Sequence, residues 1–223
     1  VSPCVVSFAT SRGWYLRGQE RLRSSLKAQG YQGAFLGLNQ YPVGCLSHQQ
    51  NPYAFKVYAL YEAVRQGHDL VIWLDASCWA IRPLESMIEE VERSGYLLFT
   101  CGWSVGQWCT DHALRILGTS REEAFKISLV IGGCVCLYLK DERSLKFLRL
   151  WKEAADRGTF VGQWTNKNRL VSEDPRVLGH RHDQPAASII SYKLGMKSTY
   201  CPKFFSYCTP VPDPETVIVT QGM

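Results

Sequence analysis

The chain has 223 residues, of which 46% are hydrophobic and 20% charged, with a formal net charge of +5. That composition provides a full core for one globular domain and excludes a disordered or fibrous chain. Lys and Arg are scattered and form no long basic block, so nucleic acid is not an expected partner.

No apolar run reaches the roughly 18 residues that a membrane-spanning helix needs, and Val1-Ser2-Pro3-Cys4 lacks the charged and apolar regions of a signal peptide. The expectation is a soluble, cytoplasmic protein, and a start at Val rather than Met fits a segment cut from a longer chain. The nine cysteines are an odd number. Cys4, Cys101, Cys134 and Cys136 sit in apolar stretches without C-x-x-C spacing, which predicts reduced, buried thiols rather than disulfides or a zinc site.

Along the chain, Cys4-Val5-Val6-Ser7-Phe8-Ala9 reads as a strand ending at Thr10-Ser11-Arg12-Gly13, a small hydroxyl-rich turn that can approach a ligand. A helix from Trp14 to Gln29, stopped by Gly30, and a strand over Ala34–Leu38 begin a βαβ rhythm. After a loop over 39–52, Ala54, Val57, Tyr58, Tyr61 and Val64 recur at helical spacing and lead to Gly67. Leu70-Val71-Ile72-Trp73-Leu74 is then an unbroken apolar run, the pattern of a central strand covered on both faces. It stops on Asp75, followed by Ala76 and Ser77. Ligands of open α/β sheets bind outside the carboxyl ends of the strands, so Asp75 is placed for a metal or a phosphate-bearing ligand, although the same residue also suits a turn cap.

Leu84, Met87, Ile88 and Val91 form one stripe of a helix that ends at Ser94-Gly95, and Tyr96–Phe99 follows as a strand. Residues 101–126 read as an inserted, substrate-side region with a helix from Thr110 to Leu117 and a capping-box pattern from Ser120 to Glu123. Ile127–Leu139 is strand-like and interrupted by Gly132-Gly133, which leave backbone uncovered for a ligand or for close packing. Phe147, Leu148, Trp151, Ala154 and Ala155 mark a helix ending near Gly158. Residues 159–182 read as polar loop, Asp183-Gln184-Pro185 opens a last helix over Ala186–Leu194, and the tail contains one strand, Val217–Val219.

The chain has neither G-x-G-x-x-G after its first strand nor G-x-x-x-x-G-K-[ST], which argues against a Rossmann dehydrogenase and a P-loop NTPase. Gly102-Trp103-Ser104-Val105-Gly106 does match the G-x-S-x-G nucleophile elbow and follows a strand. It keeps open a serine hydrolase in which Ser104 would draw on Asp174 and on His180 or His182, though Gln107-Trp108-Cys109 intervene where a helix should begin. His180-Arg181-His182-Asp183-Gln184 places five hydrogen-bonding side chains before an apolar helix. They read either as an N-cap with solvated neighbours or as a site that delivers a carboxylate and an amide into the crevice at Asp75.

Taken together, Val5-Val6-Ser7-Phe8-Ala9-Thr10, Asn51-Pro52-Tyr53-Ala54-Phe55-Lys56, Trp73-Leu74-Asp75-Ala76-Ser77 and Arg181-His182-Asp183-Gln184 resemble the nucleotide-sugar glycosyltransferases of GT-A fold. The resemblance spans about residues 4–195 and is nearest in size and motif style to small capsid-decorating glycosyltransferases of algal (chlorella) viruses. It implies an open α/β fold with a mixed, mostly parallel sheet flanked by helices in one domain over 1–223. The nucleotide-binding half would cover about 1–100 and the acceptor side about 101–223. The implied reaction moves a sugar from a nucleoside-diphosphate donor, UDP first, to a hydroxyl on a glycan or glycoprotein with Mn2+ or Mg2+. By the same resemblance Ser7, Phe8, Ala9, Thr10, Lys56, Asp75, Ala76 and Ser77 hold the donor, with Asp75 and Ser77 on the metal. Gly132, Gly133 and His182 meet substrate, and Asp183 and Gln184 are catalytic. The reaction needs such residues because a divalent ion bridging the leaving diphosphate neutralises the charge that builds as the glycosidic bond breaks. Two departures stand out: Ser77 replaces the second carboxylate of the usual Asp-x-Asp, and no histidine follows His182. They keep open a catalytically silent sugar- or nucleotide-binding module of the same fold, and Lys56 also reads as a solvated helix lysine.

Overall fold

The computed structural model describes residues 1–10, 13–207 and 213–221. Ser11 and Arg12 of the expected ligand-facing turn lie outside them. The first half alternates strands and helices: β1 (Pro3–Phe8), α1 (Trp14–Ala28), β2 (Ala34–Leu38), α2 (Phe55–Arg65), β3 (Leu70–Leu74), β4 (Cys78–Ala80) and α3 (Glu85–Ser94). The second half comprises β5 (Tyr96–Ser104), α4 (Asp111–Ile116), α5 (Arg121–Ala124), β6 (Ser128–Tyr138), α6 (Glu142–Asp156), α7 (Asp183–Lys193), β7 (Thr199–Tyr200), β8 (Phe204–Tyr207) and β9 (Thr216–Thr220).

Six strands form one sheet in the order β2-β1-β3-β6-β5-β7. All run the same way except β6, which is antiparallel to both β3 and β5. Strand alternation feeds two cores: Cys4, Val6 and Phe8 of β1 join Val71 and Trp73 under α2, α6 and α7. On the other face Val5 joins Leu70, Ile72 and Leu74 with Leu22, Met87 and Val91. The fully buried run of β3 is thereby explained, since both of its faces are covered. The chain leaves β1 to build β2 on one side and returns to build β3 on the other. The crevice at the carboxyl ends of β1 and β3 is therefore a topological switch point, where such sheets bind ligands.

Several elements differ from the reading of the sequence. β6 continues through Gly132-Gly133 as one strand from Ser128 to Tyr138, but its pairing with β3 stops at Cys134 and its pairing with β5 shifts register across the two glycines. Helix α6 starts five residues before its first apolar marker, where the Asp141 carboxylate accepts from the amides of Arg143 and Ser144. The tail holds β7 and β8 as well as β9, and β8 and β9 form a second small sheet with β4. These strands are two to five residues long, too short for periodicity to reveal. The eight described cysteines are all free thiols.

Candidate functional site

At the switch point lies a cavity of about 320 Å3. Phe8 and Thr10 reach it from the end of β1, Tyr15 from α1, Tyr41 and His48 from the loop after β2, Tyr53 and Phe55 from the start of α2, and Trp73, Asp75, Ala76 and Ser77 from β3 and its turn. One wall is aromatic: Phe8 stacks on Phe55 at 4.4 Å and meets Tyr41 at 5.1 Å. Such a wall offers π-faces to a planar ring.

The floor carries charge. Lys56 enters from the first turn of α2 with a side chain only 2% exposed, and its ammonium lies 3.1 Å from Asp75 Oδ1 and 3.2 Å from Asp183 Oδ2. It also donates to the Gly132 carbonyl at 2.7 Å. Asp75 Oδ1 accepts a second bond from Trp73 Nε1 at 2.8 Å, and the Asp75 amide donates to the Gly133 carbonyl at 3.0 Å. Glycine is required here by space, for a Cβ on Gly132 would stand 2.5 Å from Asp183 Oδ2 and 3.0 Å from Lys56 Nζ. Burial opposes a charge on Lys56, but Asp183 and Asp75 outweigh it and hold the ammonium above the usual lysine range. Burial raises Asp183, with Lys56 opposing and Asp75 reinforcing.

Two non-glycine residues beside Lys56 occupy the left-handed backbone region, Tyr53 at φ 61° and His182 at φ 51°. This costs conformational energy that packing must supply. Their rings lie 5.3 Å apart, and His182 also stacks on Trp164 at 5.6 Å. Burial lowers the His182 pKa against the opposing effect of the Phe160 carbonyl, to which Nδ1 donates at 3.0 Å.

The structure brings Asp75, Lys56, Gly132 and Asp183 together, with Phe8, Thr10, Ala76 and Ser77 in the cavity lining. Ser7 and Ala9 are buried in and just after β1 and are not part of that lining. Gly133 serves through its carbonyl, and Gln184 is half-buried beside Gly132. Asp183 is 1% exposed and lies beneath the floor rather than on it.

Three alternatives are overturned. Lys56 is not a solvated helix lysine. Asp183 is not the cap of α7, since His182 holds that position and no side chain caps it. The serine triad is not assembled: the Ser104 hydroxyl bonds Gln107 in a local capping box. Asp174 pairs with Arg176, and both His180 nitrogens face backbone, Nδ1 the Thr110 amide and Nε2 the Thr159 carbonyl. His180 and His182 are buried, not solvated. What sequence reasoning missed is the aromatic wall. Tyr53 and Phe55 stood inside a recognised motif, but nothing in their spacing pointed into a cavity.

A divalent ion is tested by the donors present. Asp75 Oδ1 is committed to Trp73 and Lys56, leaving Oδ2 on a side chain 33% exposed. The Ser77 hydroxyl, 2.9 Å from Thr220 Oγ1, stands in the same lining. The described residues hold no cluster of three or more metal-ligating His, Cys, Asp or Glu side chains. One carboxylate oxygen and a hydroxyl suit a hard ion that takes its remaining ligands from phosphate and water.

No protein-family model matches the chain, and no curated protein matches it. Among solved structures, the crystal structure of a glycosyltransferase involved in the glycosylation of the major capsid of PBCV-1 is similar, with a TM-score of 0.56. The match covers 99% of this chain and 92% of that one at 11% identity, a likeness of fold. Among the described residues no helix is long and apolar enough to cross a membrane.

Proposed function

We propose that this protein is a glycosyltransferase of GT-A type that moves a sugar from a nucleoside-diphosphate donor, UDP first, to an acceptor hydroxyl on a glycan or glycoprotein. The observation that carries the reading is the Asp75–Lys56–Asp183 ion cluster set under an aromatic cavity at the switch point. The likeness of fold supports it. In this reading residues 1–100 contribute most of the donor site and 101–223 the acceptor side.

The donor's base packs against Phe8, Tyr41 and Phe55, and its diphosphate lies toward Asp75 and Ser77. Asp75 Oδ2 and the Ser77 hydroxyl would hold Mn2+ or Mg2+, which when bound neutralises charge on the departing diphosphate. Lys56 places a fixed positive charge just below, and fixed charge aimed at developing negative charge is a main source of rate enhancement. Asp183 is a positioning residue: enclosed as it is, it reaches the reaction through Lys56, which it holds against Asp75. Gln184, half-buried at the start of α7, is the amide available to the sugar's hydroxyls.

The test is incubation with a panel of nucleotide sugars and Mn2+, following release of nucleoside diphosphate. At least one donor is expected to be hydrolysed or transferred. No release from any donor, together with no nucleoside diphosphate binding, would overturn the reading.

A further inference from the structure

Among the described residues three arginines are not exposed at the surface: Arg82, Arg121 and Arg181. Arg82 donates to the carbonyls of Asp213 and Thr216, and Arg121 to the Gly106 carbonyl and the Asp111 carboxylate. Arg181 is the exception, with no oxygen partner for its guanidinium among the described residues. Instead it lies 3.9 Å over the ring of Trp108 and 4.1 Å over that of Trp164. Stacking engages the faces of the guanidinium and leaves its N–H edge free, the edge that matches a carboxylate or phosphate in a two-bond fork.

The surroundings are those of a binding surface rather than of a core. Trp164 is 47% exposed and Trp103 is 45% exposed. Trp103 meets Trp108 edge-to-face at 5.6 Å, and the buried Trp108 Nε1 has no acceptor among the described residues. Large apolar side chains left open side by side mark interaction sites. The surface is also continuous with the cavity at the switch point, because Trp164 stacks on His182, and His182 lies 5.3 Å from Tyr53 of the cavity wall. It belongs to the half of the chain that begins with β5.

We propose that Arg181 with Trp103, Trp108 and Trp164 forms the acceptor subsite, and that the acceptor is an acidic carbohydrate. Its sugar ring packs on the exposed tryptophans and its acid group is held by the guanidinium. The proposal rests on the transferase reading above for the word acceptor, but its binding chemistry is testable without turnover.

Tryptophan fluorescence of the full chain is titrated with a galacturonic acid trimer and with a neutral hexose trimer, and a nucleoside diphosphate with Mn2+ is titrated in parallel. The acidic trimer is expected to bind at least tenfold more tightly than the neutral one. Arg181→Gln is expected to remove that preference, a loss of roughly ten- to hundredfold for a charged hydrogen-bonded pair. Trp103→Ala is expected to weaken both trimers. Arg181→Lys, which keeps the charge and loses the fork, is expected to keep part of the preference and serves as the second variant should Arg181→Gln fold poorly. Equal binding of the two trimers, or a preference that survives Arg181→Gln, would overturn the proposal. So would a loss confined to nucleoside diphosphate in that variant, which would assign the guanidinium to the donor. A protein that prefers the acidic trimer yet releases nucleoside diphosphate from no donor and binds none would refute the transferase reading and leave the carbohydrate site standing.

Discussion

Lys56→Met replaces the buried ammonium by an apolar side chain of similar length and leaves Asp75 and Asp183 facing the same enclosed space. The lysine is 2% exposed and holds both acids within 3.2 Å, so its removal breaks a buried ion pair from one side. Such a change costs about 3–5 kcal/mol, more than the loss of a core methylene, because a buried charge is left without its partner. For a chain of 223 residues that corresponds to a fall in melting temperature of roughly 6–20 °C. The cost should depend on pH with a definite sign. Asp183 is already raised by burial, and without Lys56 it rises further, so lowering the pH protonates it and relieves the penalty. Urea unfolding of wild type and variant at pH 7 and pH 5 measures this, and the difference between them should shrink on acidification. Adding Asp183→Leu should restore part of the lost stability, since an apolar pair can replace a buried ionic one. A loss below about 1 kcal/mol at pH 7, or a difference that grows toward pH 5, would refute the reasoning.

Asp75→Asn keeps the shape but removes the anionic oxygen, and the Mn2+-dependent affinity for a nucleoside diphosphate should fall at least about tenfold by calorimetry; unchanged affinity would take Asp75 out of the donor site. Gly132→Ala drives a methyl to 2.5 Å from the Asp183 carboxylate and should destabilise by about 1–3 kcal/mol, read from the urea midpoint, and lower transferase activity with it. His180 is pushed down to about 3 by burial, with His182 adding to the effect. A depressed folded value means stability that is present above about pH 6.5 and lost as pH falls toward 3, amounting at full loss to roughly 4–5 kcal/mol. His180→Gln should flatten that acid slope in urea unfolding; an unaltered slope would assign acid sensitivity elsewhere.

The frame of the fold was legible because its strongest signals are physical necessities. A short apolar run such as 70–74, bounded by polar residues and rich in β-branched and aromatic side chains, suits a strand covered on both faces, and the glycines after the helices, Gly30, Gly67 and Gly95, all take the positive φ that ends a helix. The topology then delivers Asp75 to the crevice without further information. What stayed hidden depends on long-range packing. Lys56 sits at an ordinary helical position, and only the fold reveals that α2 lays it across the ends of β3 and β6. Asp183 has a residue type that normally caps a helix. Its actual partner lies 127 positions earlier in the chain, beyond any local pattern. Gly132 was ambiguous between a ligand contact and close packing, and close packing is present, since a Cβ there would stand 2.5 Å from Asp183 Oδ2. The G-x-S-x-G match, kept open only as an alternative, makes no elbow because Gln107 satisfies the serine locally.

In the proposed reaction, the ion cluster would let a site with one carboxylate serve where the related pattern uses two. Asp75, Lys56 and Asp183 carry one net negative charge when both acids are ionised, and none when Asp183 keeps its proton. A second carboxylate at position 77 would add negative charge at the cavity surface. Ser77 adds none, and Lys56 cancels part of what Asp75 supplies. On the proposed reading the cavity would repel a diphosphate only weakly before any cation is present, and one divalent ion would then suffice to make it attractive. The acid buried at position 183 has a different task from a second carboxylate at the surface. An enclosed carboxylate cannot coordinate a ligand in the cavity, but it can fix the ammonium beneath it, and a charge fixed in advance needs no reorganisation when the leaving group departs. On this account Asp183 and Asp75 differ in role through burial alone, 1% exposed for one residue and a side chain 33% exposed for the other.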